Sequence, residues 1–375
     1  MNRISAAFRS WCSRAFNLPV LAKSRWHWVD YLRGIAILLV VYRHALLGIQ
    51  YSHIHIPEAL ERANMIFFSF RMPLFFILSG IFIGGSMAKR SMKQLIGIKF
   101  ENLVYPYLIW SFIQITLQIL LSGSTNSQRS LIDYTYILYQ PRDLDQFWYL
   151  PALFNCSVIF LLIKSKWNPN KWAHLALGLG FYLLSPYLQK VSMISDWMRF
   201  YFFFVLGDSI SSFFFSESSQ RFLKNPWSLL LIAPFFAGAQ IFYLSQDENF
   251  YLNAPLGQLE FLAIALIGCL SMVILSFRLE SWNALSFLRV LGYHSLYIYV
   301  MHVMVAAGVR VIFTRVFGVH DPAILLLSGI AFGVTIPVIV YNLLIEDHIF
   351  WFLFSYHRNK KKKPAPARLA ASGVN

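Results

Sequence analysis

The sequence predicts an all-α integral membrane protein, a bundle of about ten transmembrane helices with both termini cytoplasmic. Three observations carry that prediction. The 375 residues are 57% apolar and only 13% charged, whereas soluble domains are about 45–50% apolar and about 25% charged. So few charges cannot cover a water-facing surface. Apolar stretches long enough to cross a bilayer, about 20 residues each, recur along most of the chain, and Lys and Arg collect in alternate connections between them. Ordinary cytosolic enzymes, collagen, disulfide scaffolds and disordered tails are all excluded.

The predicted spans cover residues 28–50, 64–87, 103–121, 147–164, 172–188, 197–214, 227–244, 258–276, 290–313 and 322–345. With the N-terminus inside, the cytoplasmic segments hold 22 of the 32 Lys and Arg, and the opposite loops hold five. That asymmetry satisfies the positive-inside rule and explains the net charge of +15 topologically, with no nucleic acid implied. The remaining five cations, Arg33, Arg43, Arg71, Arg199 and Arg310, lie within spans. Residues 1–25 read as a basic cytoplasmic segment suited to a helix on an anionic membrane surface. They lack the compact apolar core and small-residue cleavage site of a removable signal peptide. The membrane domain runs from 26 to 356, and 357–375, with its run Lys360 to Lys363, reads as a disordered cytoplasmic tail. Cys12, Cys156 and Cys269 are far apart and odd in number, which argues against a disulfide framework or a zinc site. No metal is expected.

Polar groups at depth are the place to look for chemistry, because each costs about 2.5–3.5 kcal/mol on insertion scales. The first span is richest, with Asp30, Arg33, Arg43 and His44. Arg33 and His44 are eleven residues apart, three helical turns plus about 20°, so they share one face about 16 Å apart along the axis. Taken alone, Arg33 fits a side chain that snorkels to the interface and pairs with Asp30. His44 taken alone fits a hydrogen-bonding core residue, and Arg43, about 100° away, fits a cap on another polar group.

In the second span Arg71 reaches nearly the depth of His44, Pro73 should kink the helix just below it, and Ser79-Gly80 permits close approach of a neighbour. Ser295, Tyr299 and His302 recur at helical spacing in the ninth span, a pattern that also fits a satisfied polar network. Asp208 is the one clear mid-membrane acid, a candidate partner for these cations or for a His. Trp148 and Tyr149 open the fourth span, where such rings form the interfacial belt or stack on a sugar.

The pattern Asp30-x-x-Arg33-Gly34 with Arg33-x10-His44 resembles the first helix of acyltransferase family 3 membrane proteins. So do the blocks Met72-Pro73-Leu74-Phe75-Phe76-Ile77-Leu78-Ser79-Gly80, Phe147 to Phe154 and Leu291 to His302, in the family's order and covering about residues 26–350. The second and third blocks are closest to the branch containing fucose 4-O-acetylase-like and exopolysaccharide-modifying proteins. The resemblance implies ten core helices in a bacterial inner membrane and transfer of an acyl group, usually acetyl from acetyl-CoA, to a hydroxyl of an envelope glycan. It marks Arg33 and His44 as essential and Arg71 as the cation before the second-helix motif. One departure stands out: Lys99 and Asn102 precede Pro106 where the family often has two basic residues.

Acyl transfer to an alcohol needs a base, oxyanion stabilisation and an anchored donor. The catalytic candidates are therefore His44, as base or acyl carrier, Arg71 and His302. Arg33, Lys99 and Asp30 are candidates for holding acetyl-CoA, and Trp148, Tyr149, Ser79 and Tyr299 for binding the sugar. The expected partners are the lipid bilayer, a lipid-linked or polymeric carbohydrate and an envelope biosynthetic complex. A transporter using His44, Arg71, Asp208 and His302 as a polar pathway is the alternative, although neither repeated halves nor paired broken helices are visible. A non-catalytic scaffold acting through its tails is the third reading.

Overall fold

The computed structural model describes residues 2–19, 21, 26–122, 129–247, 249–346 and 349–357, with side chains from residue 8 onward. The lysine run and the rest of the predicted tail from 358 lie outside the described residues. The described residues are mostly helical, with no strand among them. Among the described residues, eight helical segments are long and apolar enough to cross a membrane: 27–50, 58–87, 92–120, 149–166, 226–244, 255–282, 295–315 and 322–345.

The other two predicted spans are also helices, with less membrane character. One runs only from Lys171 to Leu184 before a tight turn at Ser185–Leu188, and the other, Ser192–Ser209, carries Asp196, Arg199 and Asp208 in 18 residues.

In chain order, α1 is Asn2–Ala15 and α2 is His27–Gln50. The second span consists of α3, Glu58–Ile66, and α4, Arg71–Ile81, with a short helix from Ile83 to Met87. The predicted kink below Arg71 lies instead above it. The helix breaks over residues 67–70 and restarts at Arg71, so Pro73 falls in the first turn of α4, where its missing N–H has no helical partner to lose.

The third span comprises α5, Met92–Lys99, a π-helical turn Phe100–Val104 and α6, Tyr105–Leu120. Pro106 cannot donate to the carbonyl of Asn102, and the ladder shifts register there. Then come α7, Tyr149–Lys166; α8, Lys171–Leu184; α9, Ser192–Ser209; α10, Pro226–Leu244; and α11, Pro255–Trp282. The predicted ninth span is divided at His294 into α12, Phe287–Tyr293, and α13, Ser295–Arg315. The last long helix is α14, Pro322–Val340.

Two reciprocal glycine contacts set the helix positions. A Cβ on Gly80 of α4 would strike the Phe204 carbonyl of α9, and one on Gly207 of α9 would strike the Ile77 carbonyl of α4. Likewise, a Cβ on Gly34 of α2 would meet the Leu288 carbonyl of α12, and one on Gly292 would meet that of Asp30. Small residues let backbones touch where lipid supplies no hydrophobic drive for helices to associate. Around these contacts the core is aromatic: Trp28 stacks on Phe277 with centroids 4.8 Å apart, and Phe76 on Phe200 at 4.5 Å. At the N-terminus the Asn342 amide donates to the Ala15 carbonyl at 2.9 Å, securing the end of α1.

Candidate active site

A cavity of about 1140 Å³ occupies one end of the bundle. It is enclosed by the last turns of α2, α6 and α8, the break between α3 and α4, the loop before α7, α9 around Arg199, the approach to α11 and the C-terminal half of α13. All of these lie at the end opposite the Lys- and Arg-rich connections.

His44 and Arg71 both line the cavity. Arg71 is buried, 3% exposed, because the break before α4 turns it inward; its Nη1 donates to Asn64 Oδ1 at 3.0 Å. The Phe68 ring sits 5.2 Å from the guanidinium carbons of both Arg43 and Arg71.

His302 lies behind this wall, fully buried and off the cavity surface. Its ring meets that of His44 edge to face, with centroids 5.1 Å apart and planes at 66°. Nδ1 lies 3.0 Å from the Ile298 carbonyl and 2.8 Å from the Tyr299 carbonyl. Two carbonyls can only accept, so Nδ1 carries the proton and Nε2 keeps its lone pair. That Nε2 is buried without a hydrogen-bond partner among the described residues. Tyr299 stands between His302 and Tyr149, with centroids 6.3 and 5.3 Å away.

Tyr149 and Tyr299 are buried away from the cavity surface, where Trp148 alone of the sugar candidates borders it. Trp148 stacks on Phe200 at 5.3 Å and holds the Arg142 guanidinium 4.3 Å from its centroid. Ser79 is elsewhere, its hydroxyl donating to the Phe75 carbonyl at 2.8 Å beside the glycine contact. Toward the other end, Arg33 and Lys99 are close enough for their charges to repel, and Arg33 also acts on Tyr149. Asp30 is buried, its backbone packed against Gly292 of α12 and its charge acting on Tyr293. Asp208 is also remote from the cavity cations. It borders Gly84 in the packed region between α4 and α9, and its charged neighbour is Lys164.

The cavity also contains residues to which no chemistry was assigned from sequence. Arg43, Arg199 and Arg310 line it beside Arg71, so four of the five cations within predicted spans converge here. Their position in apolar segments was the available signal.

Asp145 was the harder one to find, because a single loop acid carries no pattern. Its carboxylate accepts from Gln114 Nε2 at 3.0 Å and Gln118 Nε2 at 3.2 Å, with Arg129 at 3.8 Å. Its backbone sits at φ 58°, ψ −111°, a strained conformation for a residue with a side chain. Burial pushes its carboxyl pKa above the ordinary value, against the opposing pull of Arg129 and the two amides.

A model of the acyltransferase domain matches residues 26–342. The chain belongs to acyltransferase family 3. It is also 29% identical over 137 residues to nodulation protein NolL of Mesorhizobium japonicum, a match covering 36% of this chain and 34% of that protein. The chain thus aligns with about a third of the curated relative's length. No solved structure matches it. For this family 3 acyltransferase, the domain match takes in Arg33, His44, Arg71, Lys99, Trp148 and His302, from the cavity to the cation pair at the far end.

Proposed function

We propose that this protein is an O-acetyltransferase that moves the acetyl group of acetyl-CoA to a hydroxyl of an envelope glycan, with His44 as the base. The observation that carries the reading is His44 facing a cavity beside Arg71, with a second imidazole of fixed tautomer behind it. The acceptor hydroxyl gives its proton to His44 while its oxygen attacks the thioester carbonyl. Arg71 faces the negative charge that builds on the carbonyl oxygen. The carbon–sulfur bond then breaks, and the leaving thiolate takes the proton from His44. His302 does not touch the reacting groups: its Nε2, which has no partner among the described residues, is the acceptor open to the His44 N–H when that ring turns toward it, and that bond would present the other His44 nitrogen, with its lone pair, to the cavity.

Arg33 and Lys99 hold the donor's phosphates at the cytoplasmic face, and the acyl arm reaches inward along α2. The distance of about 16 Å between Arg33 and His44 expected for an α-helix supports that path, as does the proximity of the two cations. In this reading ten helices cross a bacterial inner membrane, both termini are cytoplasmic, and the cavity opens outward. The excess of Lys and Arg at the opposite end supports that orientation.

The test uses inside-out vesicles supplied with acetyl-CoA labelled in its acetyl group. Label should enter a glycan or lipid-linked sugar with the wild type and not with His44→Ala. Equal labelling by the two would remove His44 from the chemistry, and no acetyl-CoA binding by purified wild type would overturn the donor assignment.

A further inference from the structure

The cavity wall carries far more positive than negative charge. Arg43, Arg71, Arg142, Arg199 and Arg310 line it, and Asp145 is the single carboxylate among the described lining residues. Arg142 is neutralised by Asp196, 2.6 Å from its Nε, and the same carboxylate acts on Arg199 only from beyond ion-pair distance. Asp145 is shared by Gln114, Gln118 and Arg129, so its charge is already committed. No carboxylate of the described residues lies within ion-pair distance of Arg71, Arg199 or Arg310.

Cations kept inside an apolar bundle without acid partners are costly unless an anion or water occupies the space they face. Three guanidiniums from α4, α9 and α13 around one cavity exceed what oxyanion stabilisation by Arg71 requires. They also lie at the opposite end from Arg33 and Lys99, the pair assigned to the donor's phosphates. The cavity is larger than the roughly 300–1,000 Å³ typical of small-molecule sites, which leaves room for a charged group beside a sugar.

Resting on the acyl-transfer reading, we propose that the acceptor is an anionic glycan. It carries a phosphate or carboxylate that Arg199 and Arg310 hold while its hydroxyl meets His44. Guanidinium groups bind both anions through paired, charge-assisted hydrogen bonds. The charge has two sources with this same chemistry, a diphosphate linking the sugar to a lipid or an acidic sugar within the glycan.

The experiment measures protection of the purified full-length protein against thermal unfolding. The probes are inorganic pyrophosphate, a short prenyl diphosphate, a galacturonate oligomer and neutral maltotriose, at matched ionic strength. No acyl donor is present, so the result is independent of the transfer reaction. Protection by the diphosphates places the charge in a lipid linker, and protection by the uronate oligomer alone places it in the glycan.

In either case the Arg199→Gln, Arg310→Gln double variant should weaken binding of the protecting probe at least about tenfold, the loss of about one charge-assisted bond. The corresponding Lys double variant, which keeps the charge but not the paired bonds, should bind the probe more tightly than the Gln variant and less tightly than the wild type, and its unfolding temperature without probe serves as the folding control. Protection by maltotriose equal to that by the anions would overturn the proposal. So would no protection by any anion, or protection lost in Arg33→Gln but kept in the Arg199→Gln, Arg310→Gln variant.

Discussion

His302 meets His44 edge to face at 5.1 Å while its own Nδ1 is committed to the Ile298 and Tyr299 carbonyls. A histidine held by two acceptors cannot change tautomer without losing both bonds, so the lone pair on Nε2 is a fixed feature of the bundle. If that lone pair orients His44, the two residues must differ in how they fail. His44→Ala should lower kcat by roughly 10²–10⁴, the usual value of general base catalysis. His302→Gln should lower kcat less, leave KM for the acceptor nearly unchanged and displace the acidic limb of the pH–kcat profile. A packing defect at position 302 would instead lower kcat equally at every pH, and that result would remove the orienting role.

The glycine contacts make a separate prediction about folding. Gly80 and Gly207 each oppose a carbonyl of the other's helix, so an added methyl group meets backbone that cannot rotate away. Gly80→Ala and Gly207→Ala should each destabilise the protein by about 1–3 kcal/mol, the cost of overpacking a rigid site. Gly85, with nothing near its missing Cβ, is the control. Gly85→Ala should be neutral or stabilise by up to about 1 kcal/mol through helix propensity. Thermal unfolding in detergent measures all three, and equal stability across them would show that α4 and α9 can separate without loss.

Asp145 predicts a pH dependence of stability. Burial raises its carboxyl pKa in the folded protein, so the protonated form is the one that folding favours. Its contribution is fully present below about pH 4, the ordinary carboxylate value, and is lost as pH rises through the elevated pKa. Asp145→Asn tolerates the positive φ and cannot ionise. Its unfolding temperature should therefore stay flatter from pH 4 to pH 8, with the gap to wild type widening as pH rises. Parallel curves for the two proteins would show that Asp145 ionises in the fold at no cost.

How far the sequence could be read depended on whether a residue's role was local. The apolar runs, the shared face of Arg33 and His44 and the small residue at Gly80 are properties of single helices, and pattern was enough to find them. The convergence of Arg199 and Arg310 on the cavity depends on how α9 and α13 pack, which periodicity does not encode. The break before Arg71 escaped a hydropathy reading because residues 67–70 are mostly Phe, and the division at His294 escaped it because the apolar runs on both sides merge into one span. The reciprocal partners of Gly80 and Gly34 were hidden for another reason: they are backbone carbonyls, which leave no mark on residue identity.

Orientation in the membrane ties these assignments together, and two exposed positions at opposite ends test it. Tyr51 stands at the cavity rim, 63% exposed, and Lys93 is exposed at the start of α5, in the basic stretch between the second and third predicted spans. Of the native cysteines, Cys156 and Cys269 are buried and Cys12 is partly exposed, so Cys12→Ser provides a quiet background. In that background Tyr51→Cys should react with a membrane-impermeant thiol reagent in intact cells, whereas Lys93→Cys should react only in inside-out vesicles. The opposite pattern would turn the cavity toward the cytoplasm. An envelope acceptor would then meet His44 before export, and Arg33 and Lys99 would face away from the only compartment that holds CoA.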